Sequence, residues 1–204
     1  MTIAKGRPWG DPGRLPADGV EVHSDGEARR VVEAARRAGT AIPVLGLLGG
    51  DLCRTLGGTG DPGRLRSADA VMFPVDVATV EIGGRRCWFV AHLVAHNRSW
   101  TRVAVAMNAP WRGRWNLAPR AHPDDGLLDS GWARLARGDV RKVRARLPQG
   151  AHLPHPAIRE RRAATVEVPL GRGVRVWLDG LPEPTGGADR LIVTLETDAL
   201  VVVI

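Results

Sequence analysis

The sequence predicts an α/β unit followed by a β-rich domain, on three observations. Residues 20–57 alternate extended and helical patterns. Beyond Gly60 the apolar residues gather into short segments rich in Val, Ala, Ile and Leu, separated by Gly and Pro. The chain has 204 residues with 25 Gly and 15 Pro, enough for one large domain or two small ones and rich in turns. The expected division is into residues 1–65 and 66–204.

Residues 1–19 carry turn chemistry. The hexapeptide Gly-Asp-Pro-Gly-Arg-Leu at 10–15 recurs at 60–65, which reads as two similar loops rather than a repeat protein. Val20–Val22 predicts a short strand. Ser24 or Asp25 is placed to cap a helix over 27–38, where Ala28, Val31, Val32, Ala35 and Ala38 form one apolar stripe and Gly39 stops the helix. Residues 42–48 (IPVLGLL) predict a buried strand. Gly49-Gly50-Asp51 is a turn, with Asp51 as the cap of a short helix.

In the second part, residues 71–82, 86–95, 102–108, 165–168, 174–178, 191–196 and 199–204 predict strands. Gly83-Gly84 marks a hairpin. One helix is expected over 139–147, between Gly138 and Pro148.

The formal charge is +7, and 27 of the 29 cationic residues are Arg, Lys5 and Lys142 being the lysines. A basic chain draws anionic partners: nucleotides, nucleic acid or lipid head groups. Two cysteines, Cys53 and Cys87, exclude a disulfide framework and a cysteine-rich zinc site. The apolar runs are far short of the ~18 residues that span a bilayer, and the opening residues resemble no signal peptide. The expectation is a cytoplasmic protein.

Four stretches are candidates for chemistry. His23-Ser24-Asp25-Gly26-Glu27 and Leu48-Gly49-Gly50-Asp51 each follow a strand and precede a helix. Backbone N–H groups at a helix start, approached closely because of Gly, suit a phosphate; plain turn geometry gives the same pattern. In Pro119–Asp129 (PRAHPDDGLLD), paired carboxylates with carbonyl help suit a hard cation, as they suit an Asx turn. The fourth stretch is Trp177-Leu178-Asp179-Gly180-Leu181. His92 and His96 share a face but lack the HExxH pattern of a zinc site. Basic residues at 141–146 and 159–162 read as solvated faces. Trp100, Trp111 and Trp115, three of seven tryptophans, suit core packing or stacking on nucleobases, yet no nucleic-acid-binding module is visible.

The stretch MNAPWRGRWNLAPRAHPDDGLLD, 107–129, together with LPQGAHLPHP, 147–156, and VWLDG, 176–180, resembles the C-terminal domain of the diacylglycerol kinase and sphingosine kinase lipid-kinase family. The resemblance spans about 105–204 and implies a two-layer β-sandwich there. Residues 23–58 resemble the family's GGDGT and GTGND loops in a truncated nucleotide-binding-type unit. Residues 1–22 stand where the family has a strand–helix pair.

From that resemblance, Asp25, Asp179 and Glu183 are the expected catalytic positions, and Gly26, Gly49, Gly50 and Asp51 the cofactor-binding ones. The resemblance also implies a structural Mg²⁺ held by the Asp125 carboxylate and the carbonyls of His122 and Leu127. It implies ATP as cofactor and a lipid at a membrane surface as partner, with localisation peripheral to the membrane. Three departures bear on catalysis. GGDGT reads His23-Ser24-Asp25-Gly26-Glu27. The GTGND loop is shortened to Leu48-Gly49-Gly50-Asp51. Leu181 stands where the family has the glutamate that acts as base on the lipid hydroxyl, leaving Glu183 two residues on. Leucine takes no proton, so the expectation is a catalytically impaired member that binds a nucleotide or an anionic lipid. An active ATP-dependent lipid kinase and a basic nucleic-acid-binding protein are the alternatives.

Overall fold

Helix α1 (Asp25–Ala38) joins two parallel strands, β2 (Val20–Val22) and β3 (Leu45–Leu47). Its start follows from local chemistry. Ser24 Oγ accepts the Glu27 N–H, and the Glu27 carboxylate in turn accepts the His23 N–H at 2.7 Å. At its end Gly39 adopts φ 67, the left-handed conformation that closes helices, and donates to the carbonyls of Ala35 and Arg36. Ala28, Val32 and Ala35 are buried against the sheet. The computed structural model describes residues 9–204; residues 1–8, within the opening expected to be turns, lie outside it.

Strand β3 is shorter than the 42–48 expected. Pro43 has no N–H to give, and the partner β2 offers three residues. Helix α2 (Gly50–Leu56) begins after Gly49, so Asp51 lies within its first turn and does not cap it.

Two long strands carry the molecule: β4 (Val71–Ile82) and β15 (Arg190–Val203), paired antiparallel with an irregularity between Glu196 and Leu200. The separate strands expected at 191–196 and 199–204 are therefore one element, bent at Asp198, whose φ is 52. One end of the pair is flanked by β3, which runs parallel to β15, then by β2, and on the other side by β1 (Asp11–Pro12). The other end is flanked by β5 (Arg85–Phe89) and β12 (Thr165–Pro169). The parts 1–65 and 66–204 thus share one seven-stranded sheet.

A six-stranded sheet faces the second end. Its strands are β6 (His92–His96), β7 (Arg102–Met107), β10 (Leu128–Arg134), β11 (Ile158–Ala163), β13 (Arg175–Leu178) and β14 (Leu181–Glu183), in the order β11-β10-β7-β6-β13-β14. A small hairpin of β8 (Trp111–Arg112) and β9 (Trp115–Asn116) projects after β7.

The core is correspondingly double. Val22, Val32, Leu45, Leu52, Val75 and Val202 pack under the two helices. Val80, Ile82, Phe89, Leu93, Leu128 and Leu178 fill the space between the two sheets. This is the α/β part followed by a β-rich domain that the pattern predicts, and the two-layer β-sandwich that the resemblance implies. The segment 86–95 is two strands in different sheets, because the chain crosses between layers at Val90 and Ala91. Helix α3 (Arg137–Arg146) starts two residues earlier than expected and ends in a single 3₁₀ turn, 147–149.

Candidate functional site

The N-termini of α1 and α2 meet at the ends of the parallel strands β2 and β3, where ligands bind in open α/β sheets. Asp25, the first residue of α1, points at the start of α2. Its Oδ2 accepts the Asp51 N–H at 2.6 Å and its Oδ1 the Leu52 N–H at 3.0 Å. The donors left over at the start of α2 are thus taken by a carboxylate of the chain itself. Glycine makes the approach feasible. A Cβ on Gly49 lies 2.5 Å from the His23 carbonyl oxygen, and one on Gly50, where φ is +97, lies 2.5 Å from Asp25 Oδ1.

Asp51 faces the other way. Its carboxylate accepts the Gly113 N–H, at 2.8 and 3.0 Å to its two oxygens, and lies 3.1 Å from His92 Nε2. His92 is 2% exposed, and its Nδ1 is buried with no hydrogen-bond partner. Asp179, with φ 48, accepts three backbone N–H groups, from Val90, Ala91 and His92, at 2.8–3.0 Å. It therefore pins the crossover between the sheets. Gly26 touches this turn: a Cβ there lies 3.2 Å from the Asp179 carbonyl oxygen and from Leu181 Cγ.

The charges are coupled. Burial and the nearby Asp179 push the Asp25 carboxyl up to about 6, against the pull of its two N–H donors and His92. Burial also raises Asp179, opposed by His92 and the three backbone donors. Burial acts to raise Asp51 too, but the hydrogen bond to His92, the Gly113 N–H and the charges of His92 and Arg54 bring it below the usual carboxylate range. Burial disfavours imidazolium at His92, yet the Asp51 hydrogen bond and the charges of Asp179, Asp25 and Asp51 lift its pKa above the ordinary value. Ligand atoms of Asp25, Asp51 and His92 all lie within 4.8 Å of one another.

Glu183 stands apart from this cluster. Its carboxylate is held by Arg29, which is buried, and by Arg85 at 3.0 Å. Arg29 also meets Glu33 and the Leu178 carbonyl. Leu181 packs toward Gly26.

The loop before β10 forms a second acidic centre. Asp125 Oδ1 accepts the Leu127 N–H, an Asx turn, and Oδ2 is paired with Arg162, which also reaches Asp129 at 3.1 Å. His122 Nδ1 accepts the Asp124 N–H. The resemblance implies Mg²⁺ at this loop, but a guanidinium already pairs with the Asp125 carboxylate expected to bind it, so the donors as arranged do not fit a hard cation. Asp76 on β4, wholly buried, accepts the Gly126 and Asp198 N–H groups. Asn108 Nδ2 donates to the carbonyls of Asp76 and Val90 at 2.8 Å each. Burial and the charge of Asp76 push Asp124 up to about 6.

The structure thus gathers Asp25, Gly26, Gly49, Gly50, Asp51 and Asp179 around one point and leaves Glu183 and the His122–Leu127 loop elsewhere. Sequence reasoning missed His92 as a member of the cluster and Asp76 and Arg29 altogether, and it read Arg162 as part of a solvated face, where the structure pairs it with Asp125 and Asp129. The spacing of His92 and His96 held no signal of the difference, because His96 lies stacked between Trp100 and Trp177, with ring centroids at 3.7 and 4.3 Å.

Between β7, β10 and α3 lies a narrow cleft of about 80 Å³, open to solvent on one side, walled by Val103, Val105, Trp132, Val140, Val143 and Leu147. Trp100 and Arg144 also line it, the guanidinium 5.3 Å from the Trp100 ring and 5.0 Å from that of Trp115.

Among known proteins, the family model of the YegS C-terminal NAD kinase beta sandwich-like domain matches residues 72–203. No curated protein matches by sequence. A diacylglycerol kinase structure from Bacillus anthracis str. Sterne is similar in fold, at 17% identity and TM-score 0.55, covering 91% of this chain and 75% of that one. Another structure from that organism, assigned as a diacylglycerol kinase, gives 16% identity and TM-score 0.59 over 91% of this chain and 77% of the other. At that identity the likeness is one of fold.

Proposed function

The chain belongs to the family of the YegS C-terminal NAD kinase beta sandwich-like domain, with the fold of diacylglycerol kinases, and from that premise we propose that it binds an anionic lipid and does not transfer phosphate from ATP. The observation that carries the reading is the Asp25 carboxylate on the two N–H donors at the start of α2. Phosphoryl transfer depends on positioning phosphates with such donors and on neutralising their charge. Here a fixed carboxylate takes the donors, and Asp51 and Asp179 add negative charge around it. A nucleotide phosphate meets repulsion where it needs attraction.

In this reading the polar cluster has structural work. Asp25 caps α2, Asp179 ties the two sheets together, and Glu183 neutralises Arg29. Glu183 then has both carboxylate oxygens engaged, one by Arg29 and one by Arg85. The apolar lining of the cleft beneath α3, with Arg144 beside it, supports contact with a lipid chain and an anionic head.

The competing reading, an active ATP-dependent lipid kinase, is favoured by one observation: the convergence of ligand atoms from Asp25, Asp51 and His92. A divalent cation bound there offsets the repulsion between carboxylates and phosphates. Calorimetry with ATP and Mg²⁺, followed by radiolabelled phosphate transfer to a lipid panel, separates the two. The expected result is lipid binding without transfer. Transfer that disappears in Asp25→Asn establishes the kinase instead.

A further inference from the structure

We propose that the β8–β9 hairpin, the turn at 97–101 and helix α3 form one face that docks on an anionic bilayer. The inference rests on the lipid reading above and names the surface through which the lipid is reached.

The hairpin reads Trp-Arg-Gly-Arg-Trp, 111–115. Both tryptophans are half-buried, and Gly113 and Arg114 at the tip are exposed. Trp100, on the neighbouring turn, is half-buried at φ 59. That backbone conformation is costly for a bulky residue and persists only where the surroundings hold it. Here the His96 ring stacks on the Trp100 indole, and the edge of Trp115 meets it at 5.3 Å.

Each of these tryptophans has a guanidinium over its ring. Arg54 is 3.6 Å from the Trp111 centroid, Arg112 is 5.6 Å from Trp100, and Arg144 lies over both Trp100 and Trp115. Arg144 belongs to α3, so the same contacts fix the helix to the hairpin. Helix α3 carries Arg137, Arg141, Lys142, Arg144 and Arg146 against the single carboxylate of Asp139. Val143 is buried beneath it.

Indole rings with cationic neighbours are the composition that settles at the boundary between lipid head groups and chains. The positive charge is complementary to an anionic leaflet. Such a face also suits a nucleic acid, but the cleft decides between them. It runs under α3 from Trp100 and Arg144 along a wall of Val103, Val105, Val143 and Leu147, an apolar lining that suits the hydrocarbon of a lipid better than a polynucleotide backbone. The face also adjoins the acidic cluster, because the Gly113 N–H at the hairpin tip is held by Asp51. Docking there brings the bilayer to the mouth of the cleft and beside Asp51.

The test is co-sedimentation of the full chain with phosphatidylcholine vesicles, with and without phosphatidylglycerol, over a salt series. Binding is expected with phosphatidylglycerol only, weakening as salt rises. The double variant Trp111→Ala/Arg114→Glu is expected to lose at least about tenfold in affinity, as is Arg141→Glu/Lys142→Glu; Arg114, Arg141 and Lys142 are exposed and Trp111 is half-buried. The control is Arg161→Glu, which makes the same charge change as Arg114→Glu. Arg161 is exposed on β11 and alternates with Glu160, which lines the cleft, so it faces away. It is expected to bind as the parent does. Thermal melts matching the parent establish that the variants fold.

Equal loss in Arg161→Glu, or no preference for phosphatidylglycerol, overturns the docking face. So does tighter binding to a DNA duplex that depends on the same residues. A soluble short-chain phosphatidylglycerol, titrated into the same protein, reads the cleft alone. If it binds while vesicles do not, the face is refuted and lipid binding stands; if neither binds, both fail. ATP turnover does not enter either readout.

Discussion

Asp25, Asp51 and Asp179 lie in one buried cluster; Asp76, Asp124, Asp125 and Asp129 lie in or beside the loop before β10; and the two sets are neutralised by different means. In the first, the carboxylates accept backbone N–H groups from three places in the chain, 51–52, 90–92 and 113, and share a buried imidazole. In the second, the permanent charge of Arg162 is set against Asp125 and Asp129. In the first, Asp25, Asp179 and His92 are buried and Asp51 is partly so. In the second, Asp76, Asp124 and Asp129 are buried too, but Arg162 is 38% exposed, so solvent shares the work at its ion pairs. Each contains one carboxyl pushed up to about 6, Asp25 in the first and Asp124 in the second, by burial and a neighbouring aspartate. The difference teaches that an aspartate-rich motif does not report its own chemistry: what it faces decides whether it serves as a cap, a clamp or an ion pair.

The largest expected effect lies in the first region. Asp179→Ala leaves the N–H groups of Val90, Ala91 and His92 buried without an acceptor, and urea denaturation is expected to register a loss of about 3–5 kcal/mol. A smaller loss than that of Arg162→Ala reverses the comparison.

Next comes pH. A carboxyl whose pKa is raised in the folded state destabilises the fold when ionised. Stability is therefore highest below the ordinary value of 3.8 and falls as pH rises toward about 6, because the folded state holds the proton that the unfolded chain releases. The raised pKa of His92 works in the same direction: its contribution is present below the ordinary 6.5 and is lost as pH climbs through the folded value. The lowered pKa of Asp51 works in the opposite direction, and its contribution is lost on acidification below 3.8. For Asp25 the effect amounts to at most about 3 kcal/mol. Denaturation curves between pH 4 and 6 are expected to flatten in Asp25→Asn, and separately in Asp124→Asn, each variant removing its own share of the slope.

Gly50→Ala sharpens the comparison further. The new Cβ collides with Asp25 and φ is positive, so a loss of about 2 kcal/mol is expected from a denaturation midpoint. The smallest effect is Arg162→Ala, about 1 kcal/mol by the same measurement, because the pair it breaks is partly solvated.

Much of the scaffold was legible in the sequence. Ser24 and Gly39 bracket α1, the alternation in 71–82 and 191–196 marks the sandwich strands, and Gly83-Gly84 turns the hairpin between β4 and β5. The misses have physical causes. Strand β10 contains Gly131, and β11 (IRERRA) is mostly charged, so neither shows an apolar alternation, yet both find partners in β7 and each other. The apolar segment 86–95 carries no mark of the crossing at Val90 and Ala91, which depends on an acceptor nearly ninety residues away, Asp179.

By itself, the sequence determined the two-part fold class, the ends of α1 and the glycines that loop 49–50 requires, because caps, alternation and turn chemistry act over a few neighbouring residues. Only the tertiary structure decided that Asp25 would cap α2, that His92 rather than His96 would join the aspartates, and that Glu183 would serve Arg29 and Arg85. Those outcomes depend on which strands lie side by side and on how deeply each charge is buried, and no short stretch of the chain encodes either.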